Sequence, residues 1–147
     1  MSADKLKVLF VAGFGPIVRE DASRKLYVET LGLPLKRHAT NPAYYHTSKI
    51  EGVKEFALWS LADAAESCFD AREWPAHLPV PNAWLEFEVG DIAAATRQLE
   101  SEGYALLTAL RMEPWGQTVT RFLSPEGMLV AVTHSPWLRQ TPATPAE

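Results

Sequence analysis

The sequence predicts an α+β fold made of two copies of one strand–helix–strand–strand–strand (βαβββ) unit. Three observations carry that expectation. Runs with strand and helix periodicity follow one another in the same order in both halves of the chain. A proline-rich stretch at about residues 75–82 separates the halves. The chain's 147 residues, 47% hydrophobic and 22% charged, have the length and composition of one globular domain that can bury a core without disulfides.

The first half, about residues 6–75, opens on the apolar run Leu6 to Gly15, a strand. Arg19 to Pro34 follows as a helix. Asp21 or Ser23 can cap its start by accepting orphan backbone N–H groups, and Leu26 and Leu33 bracket an apolar face. Gly32 and Pro34 stop it, because glycine takes the left-handed cap and proline cannot continue the ladder. Residues 36–47 are irregular, strand and loop together, while Val53 to Leu61 is a clear strand. Residues 62–74 can hold a short helix or a turn.

The second half, about residues 83–138, repeats the rhythm. Ala83 to Asp91 alternates as a strand. Asp91 caps a short amphipathic helix in which Ile92, Ala95 and Leu99 share a face, and Gly103 ends it. Three strand-like runs follow, separated by a Pro-Trp-Gly turn and a Ser-Pro-Glu-Gly turn. The tail, 139–147, is rich in proline and alanine and is expected to pack loosely.

Charge and cysteine content narrow the function. A formal charge of −4 and the lack of Lys/Arg clusters in sequence argue against nucleic acid as a partner. No apolar stretch approaches the ~20 residues of a membrane span, and no signal-peptide cleavage pattern follows the N-terminus. The single Cys68 cannot form an internal disulfide, which fits a reducing cytoplasm, and no basic residue adjoins it to make it a nucleophile.

Three stretches, "ASRKLYVETLGLP", "LEFEVGDIAAATRQLESEGY" and "EPWGQTVTRFLSPEGMLVAV", resemble the vicinal oxygen chelate superfamily, the glyoxalase/bleomycin-resistance/dioxygenase group. The Trp-Gly before the hairpin is most like the bleomycin-resistance branch. The resemblance spans about residues 7 to 138 and implies two modules whose mixed sheets curl around a cleft, with helices outside and a homodimer as the common assembly.

Metal-using members of that superfamily bind a divalent ion through His and Glu on the first and last strands of each module. Carried onto this chain, the second module's His falls on Trp84 and its Glu on Ala131. The first module's His falls on Ala12, or on Phe14 in the alternative register. The remaining Glu falls near Phe56, so that Glu55 would serve only after a one-residue slip, which turns a strand side chain to the opposite face. Trp, Ala and Phe cannot supply the oxygen or nitrogen donors a divalent ion needs. The expectation is therefore no metal and no cofactor, with His38, His46, His77 and His134 in structural or surface roles.

Strand alternation assigns the faces. Leu85, Phe87 and Val89 should pack on the helix, leaving Trp84, Glu86 and Glu88 toward the cleft. Leu129, Ala131 and Thr133 should look the same way, and Gly13 and Gly15 around Phe14 allow a close backbone approach or a bulge. Trp115 is expected at the cleft rim, with Trp59 contributing from the first module. Arg121 could anchor an anionic ligand group or pair with a carboxylate. The candidate ligand-binding set is Phe14, Trp59, Trp84, Glu86, Trp115, Arg121 and Ala131.

Indoles with a few carboxylates suit a flat or cationic organic molecule. The first expectation is thus a binding protein that sequesters such a molecule, for example an antibiotic. The alternative is a lyase, isomerase or dioxygenase with an absent or atypical metal, for which Glu55, Glu86, Glu113 and His134 are the possible proton donors or acceptors.

Overall fold

Eight strands form one open mixed sheet, in the order β2-β3-β4-β1-β5-β8-β7-β6, in the computed structural model, which describes residues 6–19 and 21–139. The first half supplies β1 (Val8–Val18), β2 (Lys36–Arg37), β3 (Tyr45–Thr47) and β4 (Phe56–Ser60). The second supplies β5 (Ala83–Val89), β6 (Leu106–Met112), β7 (Thr118–Leu123) and β8 (Leu129–His134). Each half therefore places its own first strand beside its last, β1 parallel to β4 and β5 parallel to β8. The halves join within the chain where β1 runs antiparallel to β5.

The expected helices appear, with one irregularity. α1 (Asp21–Arg24) continues as a π-helical segment, Lys25–Thr30, and Gly32 follows at φ +68°. Ser23 lies inside this helix, while the side chain of Asp21 is outside the described residues. α3 (Ile92–Ser101) is capped by Asp91, whose Oδ1 accepts from Ala94 N–H at 3.1 Å. The stretch that could be helix or turn is a helix, α2 (Leu61–Phe69), because Ser60 Oγ accepts from Asp63 N–H at 3.0 Å. A last short helix, α4 (Pro136–Arg139), closes the described chain. Residues 140–147, most of the expected loose tail, lie outside the description.

The two faces of the sheet carry separate cores. On the helix face, Phe56 and Leu58 of β4 pack with Tyr27, Val28 and Leu33 around α1, and Val89 and Val132 pack with Ala95 and Leu99 of α3. On the other face, Ala57 and Trp59 of β4 meet Trp84, Leu129 and the α2 residues Ala64 and Cys68. Each large apolar side chain buried this way contributes about 1.5–3 kcal/mol. Cys68 is buried in this second cluster, and burial pushes its thiol up to about 11, so it is no nucleophile at neutral pH.

The helix face is not fully covered. Val89 packs on α3 as expected, but its strand neighbours Leu85 and Phe87 stay half-buried. Val8, Val11 and Phe14 pair with Val89, Phe87 and Leu85, so they share that face, and all three are exposed. An apolar strip thus runs along β1 and β5 between the two helices. Among the described residues no helix is long and apolar enough to cross a membrane.

Candidate functional site

The face opposite α1 and α3 holds a cavity of about 510 Å³ lined from both halves. Its floor is aromatic. The Trp84 indole lies 6.0 Å from that of Trp59, edge to face at 72°, and its Nε1 donates to the Ala57 carbonyl at 3.2 Å. This position requires bare backbone beneath it. A Cβ on Gly13 would sit 3.0 Å from the Trp84 ring and 2.8 Å from the Glu55 carbonyl oxygen, and one on Gly15 would stand 3.0 Å from Trp84 Nε1. The glycines face the indole, and a register shift between Val11 and Gly13 brings Ala12 to the cavity as well.

The rim comes from the second half. Gly116, at φ +92°, lets the Pro-Trp-Gly turn close through Gly116 N–H to Glu113 O at 2.9 Å. Trp115 is thereby left 52% exposed at the edge of the cavity, its Nε1 donating to Gln117 Oε1 at 2.9 Å. Trp137 and Leu138 of α4 complete the rim. α4 is held there by Glu88, whose carboxylate accepts from Thr133 Oγ1 at 2.7 Å, Ser135 N–H at 2.6 Å and Arg139 Nε at 2.7 Å.

One wall is ionisable. Glu55, just before β4, alternates with Ala57 and Trp59 and so points into the cavity. Its Oε2 accepts from Tyr44 Oη at 3.2 Å and lies 3.1 Å from His46 Nδ1. Burial, with Glu86 nearby adding to it, raises the Glu55 carboxyl to about 7 against the opposing Tyr44 hydrogen bond. Burial lowers His46, with Lys36 adding to it, and raises the Tyr44 phenol well above its ordinary value. The raised Glu55 and the lowered His46 both oppose a full ion pair, so the two share a hydrogen bond across which one proton can be held near neutral pH. The His38 ring sits 5.3 Å from that of His46.

Beneath the floor runs a buried polar network. Arg121 is 1% exposed and donates to Glu113 at 2.9 Å and Glu86 at 3.3 Å, while its guanidinium carbon lies 5.0 Å from the Trp59 ring centroid. Ser67 and Arg111 also donate to Glu113. Gln117 gives one amide hydrogen to Glu86 and another to Ser135. Each buried charge has its partners, as burial demands.

Trp59, Trp84, Glu86, Trp115 and Arg121 meet at this cavity. Arg121 does so as the partner of Glu86 and Glu113. Phe14 does not join them: with Gly13 and Gly15 turned to the indole, its ring turns to the helix face and meets Phe56 at 5.5 Å. Ala131, 1% exposed, pairs with Glu86 and Arg121 and packs below the cavity. Glu88 and Thr133 share the cavity's side of the sheet, as the alternation predicts, but are sealed under α4. The register assumed for Phe56 is also corrected, since Phe56 lies against α1 and Glu55 holds the cleft-facing place without any slip. His38 and His46, expected in structural or surface roles, instead line the cavity with Tyr44, to which no role is assigned from sequence; all three stand in the irregular stretch 36–47, where no period assigns a face.

The superfamily positions do not fit a divalent ion. Ala12, Trp84 and Ala131 bring no donor, and Glu55 Oε2 is engaged by Tyr44 and His46. Among the described residues no three His, Cys, Asp or Glu side chains are grouped so that they could hold a metal.

A family model for the Glyoxalase/Bleomycin resistance protein/Dioxygenase superfamily matches residues 19–132. Solved structures share the fold. Methylmalonyl-CoA epimerase from Mycobacterium tuberculosis is 21% identical, with a TM-score of 0.56, over 94% of this chain and 95% of its own. A glyoxalase/bleomycin resistance protein/dioxygenase superfamily member from Vibrio splendidus 12B01 is 14% identical, with a TM-score of 0.55, over 85% and 97%. A Legionella pneumophila protein described as NAD-dependent benzaldehyde dehydrogenase is 14% identical, with a TM-score of 0.53, over 82% and 96%. At these identities the likeness is one of fold, and the differing descriptions show how little chemistry the fold dictates. No curated protein is significantly similar in sequence to this chain.

Proposed function

Because the chain belongs to the glyoxalase/bleomycin resistance protein/dioxygenase superfamily, we propose that its cleft binds a flat, cationic organic molecule directly, with no metal between protein and ligand. The observation that carries this reading is the meeting of four indoles and the Glu55 carboxyl at one cavity of about 510 Å³, a size that suits a small organic ligand. Trp115 and Trp137 offer π surface at the rim, and a cation lodged there would be balanced by Glu55 once ionised. An antibiotic with a flat cationic group belongs to this class. The buried free thiol of Cys68 suits a reducing compartment such as the cytoplasm.

Titration with N-methylquinolinium, a flat aromatic cation, tests the proposal through quenching of tryptophan fluorescence. Saturable quenching is expected, weakened about tenfold in both Trp115→Ala and Glu55→Gln, the loss of one stacking or charge contact. Quenching that neither variant alters would refute it.

Glu55 also supports a second reading, proton transfer in a lyase or isomerase reaction. A carboxyl near 7, hydrogen-bonded to His46 and Tyr44, is poised to take a proton from carbon and return it. Exchange of an acidic C–H for deuterium, screened over small keto acids and thioesters in D₂O and abolished by Glu55→Gln, would favour this reading over simple binding.

The apolar strip of Val8, Val11, Phe14, Leu85 and Phe87 supports a second copy of the chain as its cover, since a contiguous exposed apolar patch marks an interaction surface. The homodimer is thus part of the same proposal.

A further inference from the structure

A second cavity, about 940 Å³, opens beside β3 and β4 and shares no lining residue with the aromatic cleft. Tyr45 and its cross-strand partner Leu58 line it, whereas Tyr44 and His46, the residues on either side of Tyr45, line the cleft. Four of the chain's 14 basic residues, Arg19, Arg24, Arg37 and Arg72, surround it in a protein of net charge −4. Among the described lining residues the only acid is Glu73.

The four cations are unequally balanced. Arg72 is held by Asp63 at 2.9 Å and Glu66 at 2.7 Å. Among the described residues Arg24 meets only the exposed Glu29, at 3.5 Å, a contact worth little in water. Arg37 bonds the Tyr45 hydroxyl through Nε and Nη2, and its guanidinium carbon lies 5.5 Å from that ring's centroid. Arg19 reaches Asn82 Oδ1 at 3.4 Å. Among the described residues neither Arg19 nor Arg37 has a carboxylate partner. Tyr45 holds the Arg37 guanidinium without neutralising it. Trp74, its Nε1 committed to the Pro79 carbonyl at 2.9 Å, adds an indole to the same wall.

We infer that this cavity is an anion site for a phosphate-bearing aromatic molecule of the nucleoside diphosphate class, its phosphates taken by Arg19, Arg24 and Arg37 and its ring set against Trp74. Guanidinium groups present paired donors that match phosphate oxygens, and like charges in one cavity with no carboxylate, or only an exposed one, against them among the described residues favour a multivalent anion over a neutral ligand. The site is independent of the cleft and of the function proposed for it.

Calorimetric titration of the full chain with ADP and with inorganic pyrophosphate, at low ionic strength, tests the inference. Both should bind, ADP more tightly, and added salt should weaken both. Arg37→Gln and Arg19→Gln should each weaken both anions about tenfold, as expected for one charge-assisted hydrogen bond lost. Trp74→Leu should weaken ADP and spare pyrophosphate. These arginines are exposed, so their variants keep the fold, which an unchanged thermal midpoint would verify. Absence of heat with either anion, or binding unaltered in the Arg19→Gln/Arg37→Gln double variant, overturns the inference. Binding abolished by Glu55→Gln but kept in the arginine variants also overturns it, by placing the anion in the cleft.

Discussion

Glu55 Oε2 lies 3.1 Å from His46 Nδ1, with the Tyr44 hydroxyl on the same oxygen at 3.2 Å. Two residues from the less regular half of the chain thus converge on one Glu55 oxygen beside an aromatic floor, and burial makes that carboxyl sensitive to pH near neutrality.

The consequence for stability has a definite sign. Glu55 titrates at about 7 in the fold against an ordinary 4.5, so between those values the folded state holds a proton that the unfolded chain has released. Its contribution is fully present below the lower value and is lost as pH rises through the upper one. Thermal unfolding of the wild type should therefore fall in midpoint from about pH 5 to about pH 8 relative to Glu55→Gln, which lacks the titrating group. Parallel midpoints in the two proteins would refute the assignment. Affinity for N-methylquinolinium should run the opposite way, increasing through pH 7 as Glu55 ionises.

Trp84→Ala should cost about 3–5 kcal/mol in chemical denaturation, since it empties a buried indole's volume and orphans the Ala57 carbonyl. Trp84→Phe should cost distinctly less. Equal losses for the two variants would show that the ring volume does not matter.

Arg121 and Glu113, each about 1% exposed at the side chain, should be strongly coupled. Arg121→Met alone leaves Glu113 short of its buried cation and should cost about 3–5 kcal/mol. Adding Glu113→Gln should recover part of that loss, and a double-mutant cycle reads the recovery as a coupling energy. Strict additivity would contradict the network.

The exposed strip offers a test of assembly. Val11→Lys, placed on a 37% exposed position, should leave the monomer folded and remove a dimer seen by light scattering, with a loss of at least about tenfold in dimer affinity for a charge buried at an interface. A wild type that is monomeric at high concentration rules out the pairing.

The two halves and the succession of strands and helices along each were legible because periodicity and turns repeat, down to the Asp91 cap and the glycines of the two turns in the second half. The second half of the site was readable for the same reason: Trp84 and Glu86 follow from alternation in a regular strand. The first half, Trp59 apart, was not, for two physical reasons. The bulge between Val11 and Gly13 reverses the faces that simple alternation would give around Phe14. In addition, β2 and β3 are only two and three residues long, too short for a period to assign Tyr44 and His46, so the ionisable wall emerged only from the packing. The burial of Glu88 under α4 depends on Ser135 and Arg139, 47 and 51 places along the chain, which no local pattern records.

Gly13 leaves open the space in which a Cβ would press on both the Glu55 carbonyl oxygen and the ring of Trp84, and Phe14 N–H is bonded to the same Glu55 carbonyl at 3.1 Å. It therefore acts as a gauge block between an acid from the first half and an indole from the second. Any side chain there would widen one gap or the other, so the spacing of carboxyl and aromatic floor is calibrated by a residue that has no side chain to offer a ligand. A substitution at position 13 should therefore shift the Trp84 ring against the Glu55 main chain without altering either side chain.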